Sequence, residues 1–125
     1  MINDLGMRIS THSVGDAGTD LVLDAYAEAN KQKSISGQRW TIEHAFITRP
    51  DQIERIKELD IVISAQSHLY LAGASLVDYW GDKRASNVAP VRLWLDANIP
   101  VGGGTDNKLP YEPENPITTF YHWVS

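Results

Sequence analysis

The chain has 125 residues, of which 42% are hydrophobic and 22% charged, and its formal net charge is -5. This composition is typical of one globular domain that is long enough to bury a core. Lys and Arg are scattered, so no basic stripe is present to neutralise phosphates, and we expect no nucleic-acid partner. The absence of cysteine excludes disulfides and thiolate metal sites, and it fits a cytoplasmic location. No apolar run approaches the roughly 18 residues of a membrane span, so we expect no membrane partner.

The first part of the chain predicts a strand, a helix and a second strand. Residues 7–11 form the first β-prone run, and the turn that follows ends at Asp16, a good helix N-cap. Between residues 17 and 31 the apolar side chains recur at helical spacing. Residues 40–43 predict the second strand. The order strand, helix, strand indicates a parallel pair joined by a crossover helix.

A second helix and a third strand follow in the same order. Thr48 is the expected cap of this helix, and Pro50 lies inside its first turn, where proline is tolerated. Its predicted buried stripe consists of Ile53, Ile56 and Leu59. Residues 61–65 form the clearest strand in the chain, and their continuous apolar character is typical of a strand covered on both faces.

The last part of the chain predicts less regular structure. Residues 66–89 read as a long irregular stretch, and residues 91–98 predict a short helix with Leu93, Trp94 and Ala97 on its inner side. Residues 99–103 predict the fourth strand. Three prolines make residues 108–116 a loop, and residues 117–124 predict the start of another helix.

Repeated strand-helix-strand units predict a parallel α/β fold. Either an open doubly wound sheet or part of a (β/α)8 barrel has this pattern, and a whole barrel takes about 250 residues. The segment Leu5-Gly6 resembles the tail of a preceding helix, and Ser125 ends a helix that has barely begun. We therefore expect residues 1–125 to form a single partial domain, equivalent to half a barrel and truncated at both ends.

Polar side chains fall at the ends of the predicted strands. His12 follows the first strand, His44 ends the second and Asp106 follows the fourth, while His68 comes shortly after the third. Functional residues of parallel α/β folds gather at the carboxyl ends of strands. Imidazole and carboxylate groups are also the ligands that suit zinc and similar divalent ions. Their coincidence at three strand ends favours a metal site formed by His12, His44 and Asp106.

Each of these residues also has a structural interpretation. His12 could be a loop residue that hydrogen-bonds its own backbone, and Asp106 could be an ordinary turn residue within positions 103–107. A surface or loop role is the default for His68. Position alone does not decide between these alternatives.

Four segments carry motifs in the order and spacing of a known family. Residues 11–17 resemble an H-x-x-G-D-x-A turn, residues 42–45 an I-E-H-A strand end, and residues 64–68 an S-x-Q-P-x-H segment. Residues 90–93 and 101–106 are similar to a P-x-R-x-L … V-x-x-G-S-D ending. These motifs resemble amidohydrolase family 3 of the amidohydrolase superfamily, a branch that includes N-substituted formamide deformylases.

The resemblance implies that these are strands five to eight of a metal-dependent (β/α)8 barrel. It gives metal-binding roles to His12, His44 and Asp106, makes Asp106 the general base, and offers His68 as a donor that polarises the carbonyl under attack. The implied metal is one or two divalent ions, zinc above all, which lowers the pKa of a bound water to about 7. The implied reaction is hydrolysis of a non-peptide C–N bond in a small amide or cyclic amide. The family's strand-one H-x-H pair and strand-four lysine have no counterpart in this chain.

Two other hypotheses remain. A binding or assembly domain derived from the same fold could have lost catalysis, although the joint presence of His12, His44 and Asp106 speaks against this. An unrelated doubly wound ligand-binding domain would need a Gly-rich loop after the first strand, and residues 14–18 have too few glycines for it. Whichever holds, four parallel strands would expose two edges and an uncovered face, so we expect self-association.

Overall fold

The fold consists of four strands with helices between them. A computed structural model describes residues 2–66 and 73–106, together with the single positions 117, 120, 121 and 123. In chain order the elements are a short 3-10 helix Ile2–Leu5, β1 Ser10–Ser13, α1 Asp16–Gln32, β2 Thr41–His44, α2 Pro50–Glu58, β3 Val62–Gln66, α3 Gly73–Trp80, α4 Asp82–Ala85, α5 Val91–Asp96 and β4 Val101–Gly104.

The four strands form one parallel sheet in the order β1-β2-β3-β4. Thr11 is opposite Ile42, Ile42 is opposite Ile63, and Ile63 is opposite Val101. Each strand therefore lies beside the next one in the chain, as in a series of consecutive βα units. The predicted parallel α/β fold is confirmed, and β1 and β4 are the edge strands.

One face of the sheet is covered by α1 and α2; we call it the packed face. Ile42 and Ile63 are wholly buried there, against Leu23 of α1 and Ile56 of α2. Tyr26 of α1 lies edge-on to Trp40 with ring centroids 4.9 Å apart, and the Tyr26 hydroxyl donates to Thr41 O. Each such side chain stabilises the fold by about 1.5–3 kcal/mol relative to exposure, so this layer holds the sheet together.

A charged network joins the outer surfaces of α1 and α2. The Arg49 guanidinium donates to both carboxylate oxygens of Asp20, at 3.0 and 2.9 Å, and it also reaches Asp51. The buried Gln52 donates to Asp16 O at 2.7 Å and accepts from the Arg49 amide at 3.0 Å. Hydrogen bonds from Arg49 and Gln52 lower the pKa of Asp20. This network fixes the angle between the two helices.

The predicted element boundaries needed correction at most strands. β1 begins three residues later than predicted, so His12 lies inside the strand rather than after it. The region predicted as irregular contains α3 and α4, which are only eight and four residues long. Helical periodicity is recognised over windows of about 11–18 residues, so helices this short give little signal in the sequence. The prediction that Leu93 faces inward is also wrong, since its side chain is 44% exposed while Trp94 is buried.

Both predicted helix caps are wrong. Gly15 is the N-cap of α1, and Asp16 is the first helical residue, whose carboxylate lies near Arg84 and Arg49. At α2 the N-cap is Arg49, with the Gln52 side chain accepting from its backbone, and Thr48 instead donates to Ala45 O at 2.7 Å. In both helices the observed N-cap therefore lies one residue away from the residue predicted as the cap.

Among the residues that the structure describes, no helix has the length and apolarity needed to cross a membrane.

Candidate metal and substrate site

The structure brings His12, His44 and Asp106 together at the carboxyl ends of the strands. The His12 and His44 rings lie edge to face with centroids 4.5 Å apart. His44 Nδ1 lies 3.9 Å from Asp106 Oδ2. The His44 side chain is 10% exposed and that of Asp106 is 51% exposed. The His44 imidazole is thus buried at the carboxyl ends of the strands, and the Asp106 carboxylate beside it is half exposed.

The backbone at this edge is held in an uncommon conformation. His44, Ala45 and Asp106 have φ angles of 73°, 48° and 46°, in the left-handed region that side-chain-bearing residues rarely adopt. Such residues cost on the order of 1–3 kcal/mol each and cluster at functional sites. The turn after His44 is held by its neighbours, because the Ala45 amide donates to Ser13 O at 2.8 Å. This conformation takes the chain out of strand geometry at His44, whose ring lies beside His12.

The start of α1 packs tightly under the end of β1. Ser13 Oγ lies 3.0 Å from Thr19 Oγ1, and both side chains are buried. A Cβ atom on Gly18 would lie 3.2 Å from Ser13 Oγ, a contact tight enough to require a small shift of the serine side chain. The small residues of this turn therefore allow α1 to pack closely against the end of β1, the strand that carries His12.

A polar network crosses the other face of the sheet, which we call the open face. The Ser10 hydroxyl donates to the Glu43 carboxylate. Gln66 Nε2 donates to Ser64 Oγ at 3.2 Å and lies 3.5 Å from Glu43 Oε2. Burial alone would raise the pKa of Glu43, but hydrogen bonds from Ser10, Ser64 and Gln66 together outweigh it and the pKa is lowered. The network ties β1, β2 and β3 together on this face.

Beside this network β4 contributes almost no side chains. Gly102 is opposite Ser64 and Gly104 is opposite Gln66, and a Cβ atom on either glycine would meet nothing within 4 Å. Gly103, between them, is covered by the Trp123 indole so closely that any Cβ would overlap it. A groove of about 450 Å³ runs along the open face, lined by residues that include Ser10, Glu43, Ser64 and Gly102.

The fit of these residues to a metal ion is partial. Two imidazoles and one carboxylate have the donor chemistry of a divalent metal site. Within residues 2–66 and 73–106 and the four described positions beyond them, no three His, Asp or Glu side chains come close enough together to hold an ion. His12, His44 and Asp106 meet in two pairs instead. His68 lies outside the described residues. The metal-ligand roles therefore stay predictions.

Sequence analysis missed the polar residues of the open face. Ser64 and Gln66 fall in or beside a strand predicted to be covered on both faces, and Glu43 falls in the predicted second strand. The available signal was their spacing, since residues two apart in a strand share a face. Ser64 and Gln66 satisfy that spacing in β3. The wholly apolar partners Ile63 and Ala65 mark the opposite face.

Comparison with known proteins gives a family and two curated relatives. Residues 2–125 match the sequence profile described as the amidohydrolase family. The chain is 31% identical over 105 residues to N-substituted formamide deformylase of Arthrobacter pascens, covering 82% of this chain and 19% of that protein. It is 32% identical over 81 residues to the protein LONG AFTER FAR-RED 3 of Arabidopsis thaliana, covering 64% of this chain and 14% of that protein. The chain thus spans less than a fifth of the curated relatives that it matches.

Two solved structures share its fold, and both are uncharacterized metal-dependent hydrolases. The one from Pyrococcus furiosus superposes with a TM-score of 0.79 at 35% identity, covering 98% of this chain and 24% of that one. The one from Pyrococcus horikoshii OT3 superposes with a TM-score of 0.71 at 27% identity, covering 96% of this chain and 23% of that one. The family profile, the relatives and the shared hydrolase fold agree with the resemblance in the strand-end motifs. The chain therefore belongs to the amidohydrolase family.

Proposed function

We propose that this chain supplies part of the active site of a metal-dependent hydrolase that cleaves a non-peptide C–N bond in a small amide or cyclic amide. The observation that carries the proposal is the meeting of His12, His44 and Asp106 at one edge of a parallel sheet. The printed name of the Arthrobacter relative, a formamide deformylase, supports an amide-type substrate. The parallel βα units support a place within a (β/α)8 barrel, as its strands five to eight.

The three residues take different roles in this proposal. His12 and His44 hold a divalent metal, with zinc as our assignment, because imidazole nitrogen is a preferred zinc donor. When bound, the metal supplies Lewis-acid activation of water and of the substrate carbonyl. Asp106 is the general base. Its carboxylate is half exposed at the strand edge, where it can take a proton from water and return it to the leaving nitrogen. His68 is proposed as a second donor to the carbonyl.

The short span of the chain shapes this proposal. It covers 24% and 23% of the two metal-dependent hydrolases, so further ligands belong to parts of the whole protein beyond these strands. The described residues contain no group of three that could hold a metal ion, which favours weak binding by this region alone. The same observation keeps a second candidate, a binding or assembly domain of this family without catalysis. Metal content separates the two.

The test is metal stoichiometry and affinity. We expect the chain to bind zinc weakly from zinc-containing buffer, and His12→Ala and Asp106→Ala to weaken zinc binding by more than about 100-fold, beyond the cost of losing an outer-shell partner. Isothermal titration and elemental analysis provide the measurement. Asp96→Ala is the matched control, because that carboxylate pairs only with the exposed Arg92 in the described part of the chain and lies on α5. Unchanged zinc affinity in both site variants, with wild-type folding by circular dichroism, would reject the assignment.

Self-association is part of the same proposal. Within the described residues β1 and β4 are the outer strands of the sheet, and exposed edge strands pair with other chains. Exposed apolar side chains on several helices add to this tendency, among them Leu21, Val77, Tyr79 and Leu95. We expect light scattering to show mass that increases with concentration. A constant monomer mass up to millimolar concentration would count against it.

A further inference from the structure

A second groove lies at the amino ends of the strands, opposite the candidate metal site at their carboxyl ends. It has a volume of about 630 Å³, which is within the range of small-molecule sites. Arg8 and Thr41 also line the groove of the open face, so the two grooves adjoin. Five of the lining side chains are partly or wholly exposed: Arg8, Arg39, Val62, Pro100 and Val101. A ligand from solvent can therefore reach each of them.

Arg8 and Arg39 start from neighbouring strands, at the same level of the sheet. Ser10 is opposite Thr41, and each arginine comes two residues before one member of this pair. The Thr41 amide donates to Ile9 O at 2.8 Å and its hydroxyl donates to Arg39 O at 3.2 Å, so Thr41 holds the chain beside both arginines. Arg39 has a left-handed φ of 56°, an uncommon conformation that clusters at functional sites. Two guanidinium groups thus line one groove.

Neither of these guanidinium groups has a hydrogen bond or an ion pair in the part of the chain that the structure describes. The other four arginines of the chain each pair with an aspartate, at 2.6 to 3.4 Å: Arg49, Arg55, Arg84 and Arg92. One unpaired arginine is an ordinary surface residue. Two that line the same groove repel each other and attract an anion.

The acidic residue of this groove, Asp60, is engaged elsewhere. Its Oδ2 accepts a hydrogen bond from the Gly37 amide at 2.7 Å and lies 3.4 Å from Ser36 Oγ. These donors hold the carboxylate against the loop that precedes β2. Two guanidinium groups and one carboxylate leave an excess of one positive charge in the groove. A singly charged anion matches this excess.

We propose that Arg8 and Arg39 bind the carboxylate of a small organic acid in this groove. The planar fork of donors on each arginine fits a carboxylate, whose oxygens accept hydrogen bonds and whose charge relieves the repulsion between the two guanidinium groups. Val62, Pro100 and Val101 form an apolar wall, against which the carbon part of the acid packs.

This site is separate from the candidate metal site. Arg8 comes four residues before His12, which corresponds to about 13 Å along an extended chain. A small acid held at Arg8 therefore does not contact His12. The inference goes beyond the proposed hydrolase function and does not rest on it.

The experiment compares benzoate with benzamide, which has a similar shape and no charge. Each is titrated into the metal-free, ¹⁵N-labelled full chain at about pH 6, where benzoate is ionised. The ionic strength is kept constant, because salt screens exposed charges. We expect benzoate to shift the Nε–H signals of Arg8 and Arg39 and the backbone amide signal of Gly102, which lines the groove. Benzoate should bind at least about tenfold more tightly than benzamide, because hydrogen bonds between charged groups are the stronger ones.

Three charge-removing variants and one conservative variant complete the design. Arg8→Gln and Arg39→Gln should each weaken benzoate binding about tenfold and leave benzamide binding unchanged. Arg39→Lys keeps the charge but loses the planar fork, so it should weaken benzoate binding by a smaller factor. It also tests the site if Arg39→Gln fails to fold. Arg92→Gln is the matched control, because Arg92 is exposed and pairs with Asp96 on α5, and it should bind benzoate as the wild type does.

Equal binding of benzoate and benzamide to the wild type, or no binding of benzoate at millimolar concentration, would overturn the inference. So would unchanged benzoate affinity in folded Arg8→Gln and Arg39 variants. An equal loss in Arg92→Gln would reduce the effect to general charge and reject the site. Benzoate shifts confined to the signals of His12 and His44 would place the anion at the other ends of the strands and reject it as well.

Discussion

The two faces of the sheet differ in what their side chains contribute. On the packed face Ile42, Ile63 and Ala65 are wholly buried under α1 and α2. On the open face Glu43 and Ser64 occupy alternate positions of the same strands and form a polar network beside a groove. One face thus stabilises the sheet and the other is free for chemistry. Strand alternation allows both within four- and five-residue strands, because successive side chains point to opposite faces of the sheet.

Asp106 and His44 lie where the two faces meet, at the carboxyl ends of the strands. Their left-handed backbone conformations carry a cost that the rest of the fold offsets, and the hydrogen bond from the Ala45 amide to Ser13 O contributes at the turn after His44. The hydrophobic layer of the packed face therefore stabilises the strands that carry the site. Changes to the packed face should reduce stability most, and changes outside the sheet least.

The largest effect is expected for Ile63→Ala, on the packed face. Ile63 is wholly buried between the sheet and the helices, and such truncations cost about 2–5 kcal/mol. Its neighbour Val62 is partly exposed on the open face and lines the groove, so Val62→Ala should cost less than about 1.5 kcal/mol. Urea unfolding measures both. If Ile63→Ala fails to fold, Ile63→Val should still cost about 1 kcal/mol. Equal losses for residues 62 and 63 would remove the distinction between the faces.

A smaller effect separates two adjacent glycines of β4. Gly103→Ala places a methyl group against the Trp123 indole, and overpacking of this kind costs about 1–3 kcal/mol. Gly104→Ala meets nothing within 4 Å and should leave thermal unfolding nearly unchanged. The melting temperatures of the two variants give the comparison. A lower melting temperature for Gly104→Ala than for Gly103→Ala would contradict the assignment of the packed and open sides of this strand.

The smallest effect is expected outside the sheet, at Arg49. Its hydrogen bonds lower the pKa of Asp20 and Asp51, so they stabilise the fold while those carboxylates are ionised. This contribution is present above the unfolded carboxylate pKa, near 3.8, and is lost as the pH falls through the lower folded value. Arg49→Met should therefore lower the urea midpoint slightly at pH 7, and the difference should vanish in acid.

Arg92→Met is the control for this prediction, because Arg92 pairs with Asp96 on the exposed side of α5. It should leave the pH dependence of unfolding unchanged. If the Arg49 variant loses as much stability at pH 2 as at pH 7, packing of the Arg49 stem rather than charge explains its contribution.

The order and direction of the strands followed from hydrophobic patterning. The apolar run at residues 61–65 predicted β3, and the helical spacing of residues 17–31 predicted α1 within one residue at each end. Strand positions were less accurate, because a β-prone run does not show where backbone pairing begins. Residues 7–9 have strand-like composition, but pairing of β1 with β2 begins at Ser10 opposite Thr41.

The candidate site was only partly predictable. Residue type and strand-end position brought attention to His12, His44 and Asp106, and the structure brings them to one edge. The left-handed conformation at His44 and Ala45 has no sequence signal, since neither residue is glycine or asparagine. The polar contacts of Gln66 were equally hidden. They depend on Ser64 in the same strand and on Glu43 in the neighbouring strand β2.

The three consecutive glycines of β4 have a consequence for the dynamics of the protein. Glycine loses more backbone entropy on ordering than any other residue, and Gly102 and Gly104 bury no side chain in return. β4 is therefore expected to open more often than β2 or β3 in hydrogen exchange. Binding of a ligand in the groove would then be coupled to the ordering of β4, the strand that precedes Asp106. A bound ligand should therefore slow the hydrogen exchange of the β4 amides.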